Sequence, residues 1–493
     1  MNHRSHVCVV LGVFTLCALP HASHAAVRAM SLDGVVAMAK SDSRVAAQAR
    51  DRYRSSLWQF RVQRASFLPT LALVGTAPDL TRSISKLSLP DGSEAFVRQS
   101  YNSSGLRLSI GKTIGSTGGE VVVETSLERL DLLDGTGHPT YLSTPLSVAV
   151  RQPLFAFNPH RWADRIEPLR LDEARRDYAE ELEGIAMSAA QNFFDVVSAA
   201  DQLETARENM ASTDTLLTAT RVRREAGKTS EDELLQSELA SLNARLELQR
   251  AEQELRARQF GLRSYLGLRD TEEVRPQITF RVPEVTADVP VALSQARANR
   301  AVVVALQRRR LEAERDVAEA RSQPGRSVDL FVSYGLNQST TDLGALYDTG
   351  QEHERATLGI RVPILDWGRS YAHARLAESN AEVTMLSVEQ AALDLEQDVI
   401  RAVLEFNVQS ERIRIAAKAD EVAGKRYAAA EQRYLSGDGD AAALNVALAE
   451  KDAARRAHVE SLRGYWIAYF NLRRTTGYDF ATRRAIDAQE PED

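Results

Sequence analysis

The sequence contains the same pattern twice, 210 residues apart. Val150 to Phe155 reads Val-Arg-Gln-Pro-Leu-Phe, and Ile360 to Leu365 reads Ile-Arg-Val-Pro-Ile-Leu. The same register continues without a gap as far as Gly267 and Gly477. Further matched pairs in this register are Arg165 with Arg375, Leu203 with Ile413, Ala206 with Ala416, Arg223 with Arg433, and Gly227 with Gly437. So long a shared register indicates an internal duplication, and we expect both halves to build the same structural unit.

Residues 1–25 are predicted to be a secretory signal peptide. They combine a short basic start, a mostly apolar core over residues 7–19, and a small-x-Ala cleavage site that ends at Ala25. This core is shorter than the roughly 20 residues that a transmembrane helix needs. Both cysteines, Cys8 and Cys17, lie in the segment. The mature protein is therefore expected to carry no disulfide and no thiolate ligand.

The sequence offers little support for catalysis or for nucleic acid binding. The net charge of −7 disfavours a nucleic acid partner. Neither His-Glu-x-x-His nor Gly-x-Ser-x-Gly occurs. Gly111-Lys112-Thr113 resembles the end of a phosphate-binding loop, but five residues rather than four separate Gly105 from Gly111, and they alternate like a strand. We predict that the protein is not an enzyme and has no catalytic residue, metal site or cofactor.

Each half follows the order helix, strands, long helix, turn, helix. Residues 32–65 and 291–320 are predicted helices that end before a proline. Alternating apolar residues then predict strands with two different faces. From Pro69 to Pro153 is 84 residues, whereas from Pro324 to Pro363 is only 39. The excess predicts an additional hairpin in the first half at about 115–130, and its place in the fold is left open.

The long helices carry the clearest periodicity. Mostly apolar residues alternate at spacings of three and four from Leu182 to Thr220, and the positions 210 residues later do the same. This pattern, together with 44% hydrophobic but only 6% aromatic residues, predicts long coiled-coil helices. The expected ranges are 168–226, roughly 90 Å, and 366–436, roughly 105 Å. For the first, Pro159 and Pro168 allow either a short turn before the main helix or a kink.

Turn and cap signals mark where the returning helices begin and end. Thr229-Ser230 followed by Glu233 predicts a capping box that starts the first returning helix. Asp438-Gly439-Asp440 is expected to do the same in the second half. Glycines at 267 and 477 are expected to end both helices.

The predicted sheet cannot close within one chain. At least two long strands per half make at least four per chain, and single-chain membrane barrels start at about 8 strands. An open sheet in lipid leaves unpaired backbone groups that cost several kcal/mol each. We therefore expect other copies of the chain to complete the sheet.

The entries to the long helices and the tip sequences resemble those of TolC-type outer membrane efflux proteins. The residues that carry the resemblance are Pro-Leu-Phe at 153–155, Pro-Ile-Leu-Asp-Trp-Gly at 363–368, Arg-Glu-Ala-Gly at 224–227, Asp-Glu-Leu-Leu at 232–235, Arg-Tyr-Leu-Ser-Gly at 433–437, and Leu444. The resemblance covers about residues 31–477. It implies a mainly α fold with a β-barrel part, assembled as a homotrimer with a 12-stranded outer membrane barrel and a coiled-coil helical tunnel in the periplasm.

The resemblance also implies a function and partners. The chain would be the exit duct of a tripartite efflux or type I secretion system, located in the outer membrane and in contact with its lipid. It would passively conduct substrates received from an inner membrane transporter through a periplasmic adaptor (membrane fusion) protein. Drugs, metals and secreted peptides all remain open as substrates. The alternative is a periplasmic coiled-coil adaptor or scaffold, which the duplication disfavours because adaptors carry a single helical hairpin.

In that family the helical tips close the periplasmic entrance. The resemblance suggests Tyr434 and Glu233 as gate residues, with ordinary packing in the helical seam as the alternative role of Tyr434. Asp438 and Asp440 lie nearby and are further charged candidates, with N-capping of the returning helix as their alternative role. At the positions where the family's arginine and two acidic residues would lie, this chain has Gly439, Ala443 and Val446. The candidate residues for adaptor docking are Ala226, Gly227, Lys228, Thr229, Ser230, Leu435, Ser436 and Gly437.

These patterns divide the chain into four segments. We expect the signal peptide at 1–25, a first outer membrane efflux repeat at 26–289, and a second repeat at 290–477. Residues 478–493 are expected to be a disordered acidic tail.

Overall fold

A computed structural model describes residues 26–88, 92–133, 137–227, 229–268, 272–277, 282–322, 327–348, 350–436 and 441–487. The predicted signal peptide lies outside these ranges. The chain forms two compact units. The helical unit contains the described residues up to 44, with 188–282 and 414–463, and the sheet unit contains 45–187, 283–413 and 464 onward.

Helices make up most of the described chain. Their bounds are α1 Leu32–Asp42, α2 Arg44–Ala65, α3 Pro159–Glu225, α4 Glu231–Leu266, α5 Val289–Asn299, α6 Ala301–Ser322, α7 Arg369–Asn407, α8 Gln409–Ser436 and α9 Ala441–Thr476. Among the described residues, none of the helices is both long and apolar enough to cross a membrane.

The strands are distributed over three sheets. Their bounds are β1 Ala26–Met30, β2 Thr70–Ser88, β3 Glu94–Ile114, β4 Gly119–Leu132, β5 Thr140–Leu154, β6 Glu272–Pro276, β7 Ser327–Thr340, β8 Gln351–Arg361, β9 Tyr478–Asp479 and β10 Arg484–Ala485. β1 pairs in parallel with β6, and β9 pairs with β10. The main sheet is antiparallel, in the order β2-β3-β4-β5-β7-β8.

The structure locates the additional hairpin of the first half. β3 and β4 form it over 94–132, so its first strand begins about 20 residues before the predicted bound of 115. Both strands lie inside the main sheet between β2 and β5. β2 and β5 therefore correspond to β7 and β8 of the second half, because in each repeat the first of these strands follows a helix and the second leads into the long helix. The main sheet has six strands per chain, whereas the sequence predicted at least four.

Each predicted short helix is divided in two, so the expectation of continuous helices over 32–65 and 291–320 is wrong at one residue in each. Ser43 separates α1 from α2, and Arg300 separates α5 from α6. At the second break, a Glu180 carboxylate oxygen accepts the N–H of Ala301 at 2.8 Å and the Nε–H of Arg300 at 2.9 Å. This carboxylate replaces a helical carbonyl, so the chain turns there without glycine or proline.

The long helices differ from the prediction at their ends and in one interruption. α3 begins at Pro159 and continues through Pro168. Asn158 caps it, because its Oδ1 accepts the N–H of His160 at 3.0 Å. Residues 366–436 were expected to form one helix, but Val408 separates α7 from α8. The adjacent Asn407 side chain is bonded to both backbone groups of Ala287, at 3.0 and 2.9 Å, and this holds the chain at the interruption.

Glycines end both returning helices, as predicted. Gly267 has φ +72° and Gly477 has φ +62°, a region that favours glycine. A Cβ atom at Gly477 would lie 2.6 Å from the Cβ atom of Asn299, so a larger residue there would force the segment around Asn299 to move.

The sheet unit has an aromatic core beside a buried ionic cluster. The Phe406 ring lies 5.4 Å from that of Tyr465 and 6.1 Å from that of Tyr469. Arg473 pairs with Glu183 at 2.8 Å and with Asp479 at 3.0 Å, and the Tyr469 hydroxyl donates to Asp479 at 2.7 Å. The predicted disorder of residues 478–493 is therefore wrong for 478–487, because Asp479 anchors this segment. Residues 488–493 lie outside the described ranges.

Candidate functional site

The first tip of the helical unit is the turn between α3 and α4. Gly227 has φ +67° in this turn. The Ser230 hydroxyl accepts the N–H of Glu233 at 3.1 Å, and the Glu233 carboxylate accepts the hydroxyl of Thr229. The predicted cap by Ser230 is confirmed, whereas the described bond of the Glu233 carboxylate is to the Thr229 hydroxyl and not to the backbone N–H that a capping box uses. Ala226 precedes Gly227, whereas Lys228 lies outside the described residues.

The second tip follows the end of α8. Leu435 and Ser436 are its last described residues, and the Ser436 hydroxyl donates to the Gln432 carbonyl at 2.9 Å. Gly437, Asp438, Gly439 and Asp440 lie outside the described residues, as do the predicted charges and cap in this turn.

Tyr434 is the more buried of the two gate candidates that the structure describes. Its side chain is 2% exposed and packs in a cluster with Tyr427, Leu444 and Ala447. Its hydroxyl lies 3.1 Å from Oγ1 of Thr220 on α3, in a buried hydrogen bond. Tyr434 thereby joins α8 to α3 by a hydrogen bond and to α9 by apolar packing.

Arg223 reinforces the same junction from α3. One Nη2 group donates to the carbonyl oxygens of Tyr434 at 2.7 Å and Leu435 at 3.0 Å. The guanidinium carbon lies 5.3 Å from the centre of the Tyr434 ring. A cation at this place satisfies the last carbonyls of α8 and complements the partial negative charge at the helix end.

A second polar contact lies two turns before Tyr434 on α8. The Tyr427 hydroxyl is 2.8 Å from Oγ of Ser212 on α3, and Ser212 also donates to the Glu431 carboxylate at 2.9 Å. Burial raises the pKa of the Tyr427 hydroxyl, so it stays protonated at neutral pH and can act as a donor. Two hydrogen-bonding contacts therefore join α3 and α8, one at Tyr427 and one at Tyr434.

The two residues predicted as gate partners are not in direct contact. The Glu233 carboxylate is engaged with Thr229 beside the cap of α4. Its backbone carbonyl accepts the Ser237 hydroxyl at 2.9 Å, and that hydroxyl lies 3.4 Å from Oγ1 of Thr220. Among the described contacts, Glu233 is thus linked to Tyr434 through Ser237 and Thr220.

Sequence reasoning identified Tyr434 but missed Thr220 and Arg223. Both residues belong to the duplicated register. Thr220 is the last position of the spacing of three and four, and Arg223 is the counterpart of Arg433. A polar residue on an otherwise apolar helical seam was the available signal, since such residues often bond across a coiled coil. Among the described residues, no group of three His, Cys, Asp or Glu side chains could hold a metal ion.

Comparison with known proteins identifies the family. A family model described as outer membrane efflux protein matches residues 36–268 and 292–478, once in each half. No curated protein matches the sequence.

Similar solved structures extend over nearly the whole chain. The outer membrane protein VceC from Vibrio cholerae is 17% identical with a TM-score of 0.65, and the match covers 91% of this chain and 96% of VceC. The CmeC outer membrane channel of Campylobacter jejuni is 14% identical with a TM-score of 0.64, covering 94% and 87%. A membrane protein from Pseudomonas aeruginosa is 16% identical with a TM-score of 0.64, covering 97% and 99%.

These similarities confirm the predicted fold class, which is mainly helical with a β part and built from a duplicated unit. The family model matches both halves and, in total, well over half of the sequence. The chain therefore belongs to the outer membrane efflux protein family, to which its tip and strand-to-helix sequences had shown a resemblance.

Proposed function

We propose that this chain is a subunit of an outer membrane exit duct, which passively conducts substrates out of the cell. The observation that carries the proposal is the double family match, one in each half. The substrates would be received from an inner membrane transporter through a periplasmic adaptor, in a tripartite efflux or type I secretion system. Two structural neighbours, the outer membrane protein VceC and the outer membrane channel CmeC, support this location and role.

The open edges of the main sheet support assembly from several copies. Within the described chain, β2 and β8 each pair with a neighbouring strand on one side only. Unpaired strand edges are unstable in lipid, because no water is present to bond their backbone groups. We propose that β8 of one copy pairs with β2 of the next, and that three copies close the ring, as the family resemblance implies.

The processing and domain limits are part of the same proposal. Export would remove residues 1–25 and leave a first repeat at 26–289 and a second at 290–477. The described pairing of β5 with β7 joins the two repeats in one sheet, so neither repeat is expected to form a complete duct alone.

The α3–α8 contact is the proposed gate of the periplasmic entrance. Tyr434 with its partners Thr220 and Arg223 would hold the end of α8 against α3, and opening would require these contacts to break. Glu233 would act indirectly by fixing the α3–α4 turn. Asp438 and Asp440 remain candidate charges of the second turn.

The two tip turns are proposed to contact the adaptor. The candidate docking residues remain Ala226, Gly227, Lys228, Thr229, Ser230, Leu435, Ser436 and Gly437. The described members of the set lie at the ends of α3 and α8 or just before α4, where a partner can reach them without entering the core.

Cell fractionation followed by planar-bilayer recording tests the proposed function. We expect the processed protein in the outer membrane fraction, as a trimer that dissociates on heating, with discrete channel events after reconstitution. The alternative adaptor or scaffold would appear in the periplasmic or inner membrane fraction and would give no channel. A double Tyr434→Ala, Glu233→Ala variant should open more often than the wild type, and unchanged closed-state behaviour would contradict the proposed gate.

A further inference from the structure

The β3–β4 hairpin is hydrogen-bonded along both sides within the main sheet. β3 pairs with β2 from Thr70↔Gly111 to Ser88↔Glu94. β4 pairs with β5 from Glu120↔Arg151 to Leu130↔Thr140. A hairpin folded into the lumen as a plug, or over the sheet as a lid, could not keep both ladders.

The turn of this hairpin is anchored at the sheet end from which α3 begins. The Asn158 side-chain amide donates to the Gly115 carbonyl at 2.8 Å, and the Gln152 amide donates to the Thr117 carbonyl at 3.1 Å. Gly118 has φ +74°, and a Cβ atom there would lie 3.3 Å from Cγ of Asn158. The turn is therefore fixed to the residues just before α3. β3 and β4 run beside β2 and β5 along the height of the sheet.

One apolar face continues through the additional hairpin. The strand registers place Leu71, Ile110, Val123, Val148 and Tyr334 side by side on β2, β3, β4, β5 and β7. Leu71 is 65% exposed, Ile110 47% and Tyr334 50%. On β8, Leu358 and Ile360 share this face and are also exposed.

The opposite face is the more polar one over the same strands, with the small or apolar residues Gly111, Val122 and Ala149 in one of its rows. The next row in the register brings together Ser109, Glu124 and Ser147 on β3, β4 and β5. Alternation of an apolar and a polar face is the pattern of a strand between lipid and an aqueous lumen. β3 has 21 residues and β4 has 14, which exceeds the roughly 9–11 residues that a tilted membrane strand needs.

We propose that β3 and β4 are membrane strands of the duct wall, so that each copy contributes six strands and three copies close a sheet of 18 strands. This inference rests on the proposed function. It replaces the 12 strands that the family resemblance implies. Six is an even number, so β8 of one copy can meet β2 of the next in the antiparallel sense that holds throughout the sheet.

The additional strands widen the exit. The diameter of a closed sheet grows roughly in proportion to its strand number, so 18 strands enclose a lumen about 1.5 times as wide as 12 strands. The occupant of the apolar face is lipid acyl chain, and the polar face lines the wider lumen.

Paired single-cysteine variants test the inference in the assembled protein. Both native cysteines lie in the predicted signal peptide, so the processed chain offers no background thiol. Leu108→Cys and Ser109→Cys lie on opposite faces of β3. Leu358→Cys and Thr357→Cys are the matched reference pair on β8, the strand that corresponds to β5 of the first repeat and lies outside the additional hairpin. One portion of each variant is labelled with a small fluorophore and reconstituted into vesicles with brominated lipid. A second, unlabelled portion is reconstituted separately for reaction with a water-soluble maleimide.

The expected result is strong quenching by brominated lipid at positions 108 and 358, and reaction with a water-soluble maleimide at positions 109 and 357. Quenching at 358 without quenching at 108 would overturn the six-strand proposal and leave the proposed function intact. Absence of quenching at both positions would contradict the outer membrane location itself.

A strand count on the unmodified protein provides a second test that does not depend on any variant folding. A cryo-electron microscopy map of the reconstituted assembly should show 18 strands around three copies. A ring of 12 strands, with residues 94–132 outside the wall, would overturn the proposal.

Discussion

Tyr434 illustrates how one side chain can connect three helices at a tip. Its ring is buried among residues of α8 and α9, while its hydroxyl and backbone carbonyl are bonded to Thr220 and Arg223 of α3. These contacts separate the contribution of the ring from that of the hydroxyl and that of the arginine. Each can therefore be removed alone.

Replacing Tyr434 by phenylalanine removes only the hydroxyl. We expect a loss of about 0.5–1.5 kcal/mol in the stability of the tip, because Thr220 retains its bond to the Leu216 carbonyl at 2.9 Å. The channel should also open more often in bilayer recordings. Tyr347→Phe, at an exposed tyrosine, is the control and should change neither quantity. An equal effect of both substitutions would contradict the role given to the Tyr434 hydroxyl.

Replacing Arg223 by alanine removes two charge-assisted bonds to the end of α8. We expect a loss of about 1–2 kcal/mol and faster proteolysis at the α8–α9 turn, since the carbonyls of Tyr434 and Leu435 lose their donor. Arg221→Ala is the matched control, because Arg221 makes an exposed ion pair with Glu238 that is worth roughly 0–1 kcal/mol. If both variants are cleaved at the same rate, Arg223 does not hold the tip.

Asp452 on α9 predicts a pH dependence of stability. It lines a groove of about 660 Å³ between α3, α4 and α9 and accepts the Asn209 amide at 2.8 Å. Burial raises the pKa of this carboxyl, with the Asn209 bond acting in the opposite direction. The folded state therefore binds the proton more tightly than the unfolded state, and the resulting stabilisation is complete below about pH 3.9 and lost as the pH rises through the folded pKa.

The Asp452→Asn variant should be more stable than the wild type at pH 7.5, by about 0.5–1 kcal/mol, because the partly buried carboxylate charge at this position is removed. The gain should disappear near pH 4, where the wild-type carboxyl is protonated. Thermal unfolding at the two pH values measures this difference. Asp398→Asn, on an exposed side chain of α7, is the control for the loss of one carboxylate from the surface. A gain of Asp452→Asn that persists at pH 4 would refute the assignment.

At the scale of elements, the N-terminal cap of α4 sets where the first tip turn ends and the helix begins. Ser230→Ala removes the acceptor of the Glu233 N–H and should cost about 0.5–2 kcal/mol at the start of α4. Ser436→Ala is the matched control, since that hydroxyl bonds only carbonyls of its own helix among the described contacts. Hydrogen exchange of the first turn of α4 should accelerate in the first variant alone. Equal exchange in both would show that the cap is dispensable.

Elements with a strong local pattern were predictable, and elements set by distant contacts were not. The spacing of three and four identified α3, α7 and α8, and glycines 267 and 477 marked the ends of α4 and α9. The breaks at Ser43, Arg300 and Val408 left no signal, because a distant side chain such as Glu180 creates the turn at Arg300. The excess length of the first half revealed a hairpin, but only the strand pairing places β3 and β4 inside the main sheet.

The candidate site shows the same division. The family resemblance identified Tyr434, and the capping box was readable from Thr229, Ser230 and Glu233. Thr220 and Arg223 could not be assigned, because their role depends on the register between α3 and α8 across more than 200 residues of sequence. The charged residues of the second turn were proposed from local spacing alone, and Asp438 and Asp440 remain predictions.

At the scale of the whole molecule, the main sheet is the feature that a single chain leaves incomplete. Its outer strands β2 and β8 each have one unpaired edge within the described chain, and its apolar face is exposed. The unpaired edges are bonded and the apolar face is covered when copies pair edge to edge within a membrane. The proposed duct therefore depends on completion of this sheet by other subunits.

Native mass spectrometry of the protein extracted from outer membranes tests that dependence most directly. We expect a particle of three processed chains that requires detergent. A monodisperse single chain that stays in solution after export without detergent would contradict it.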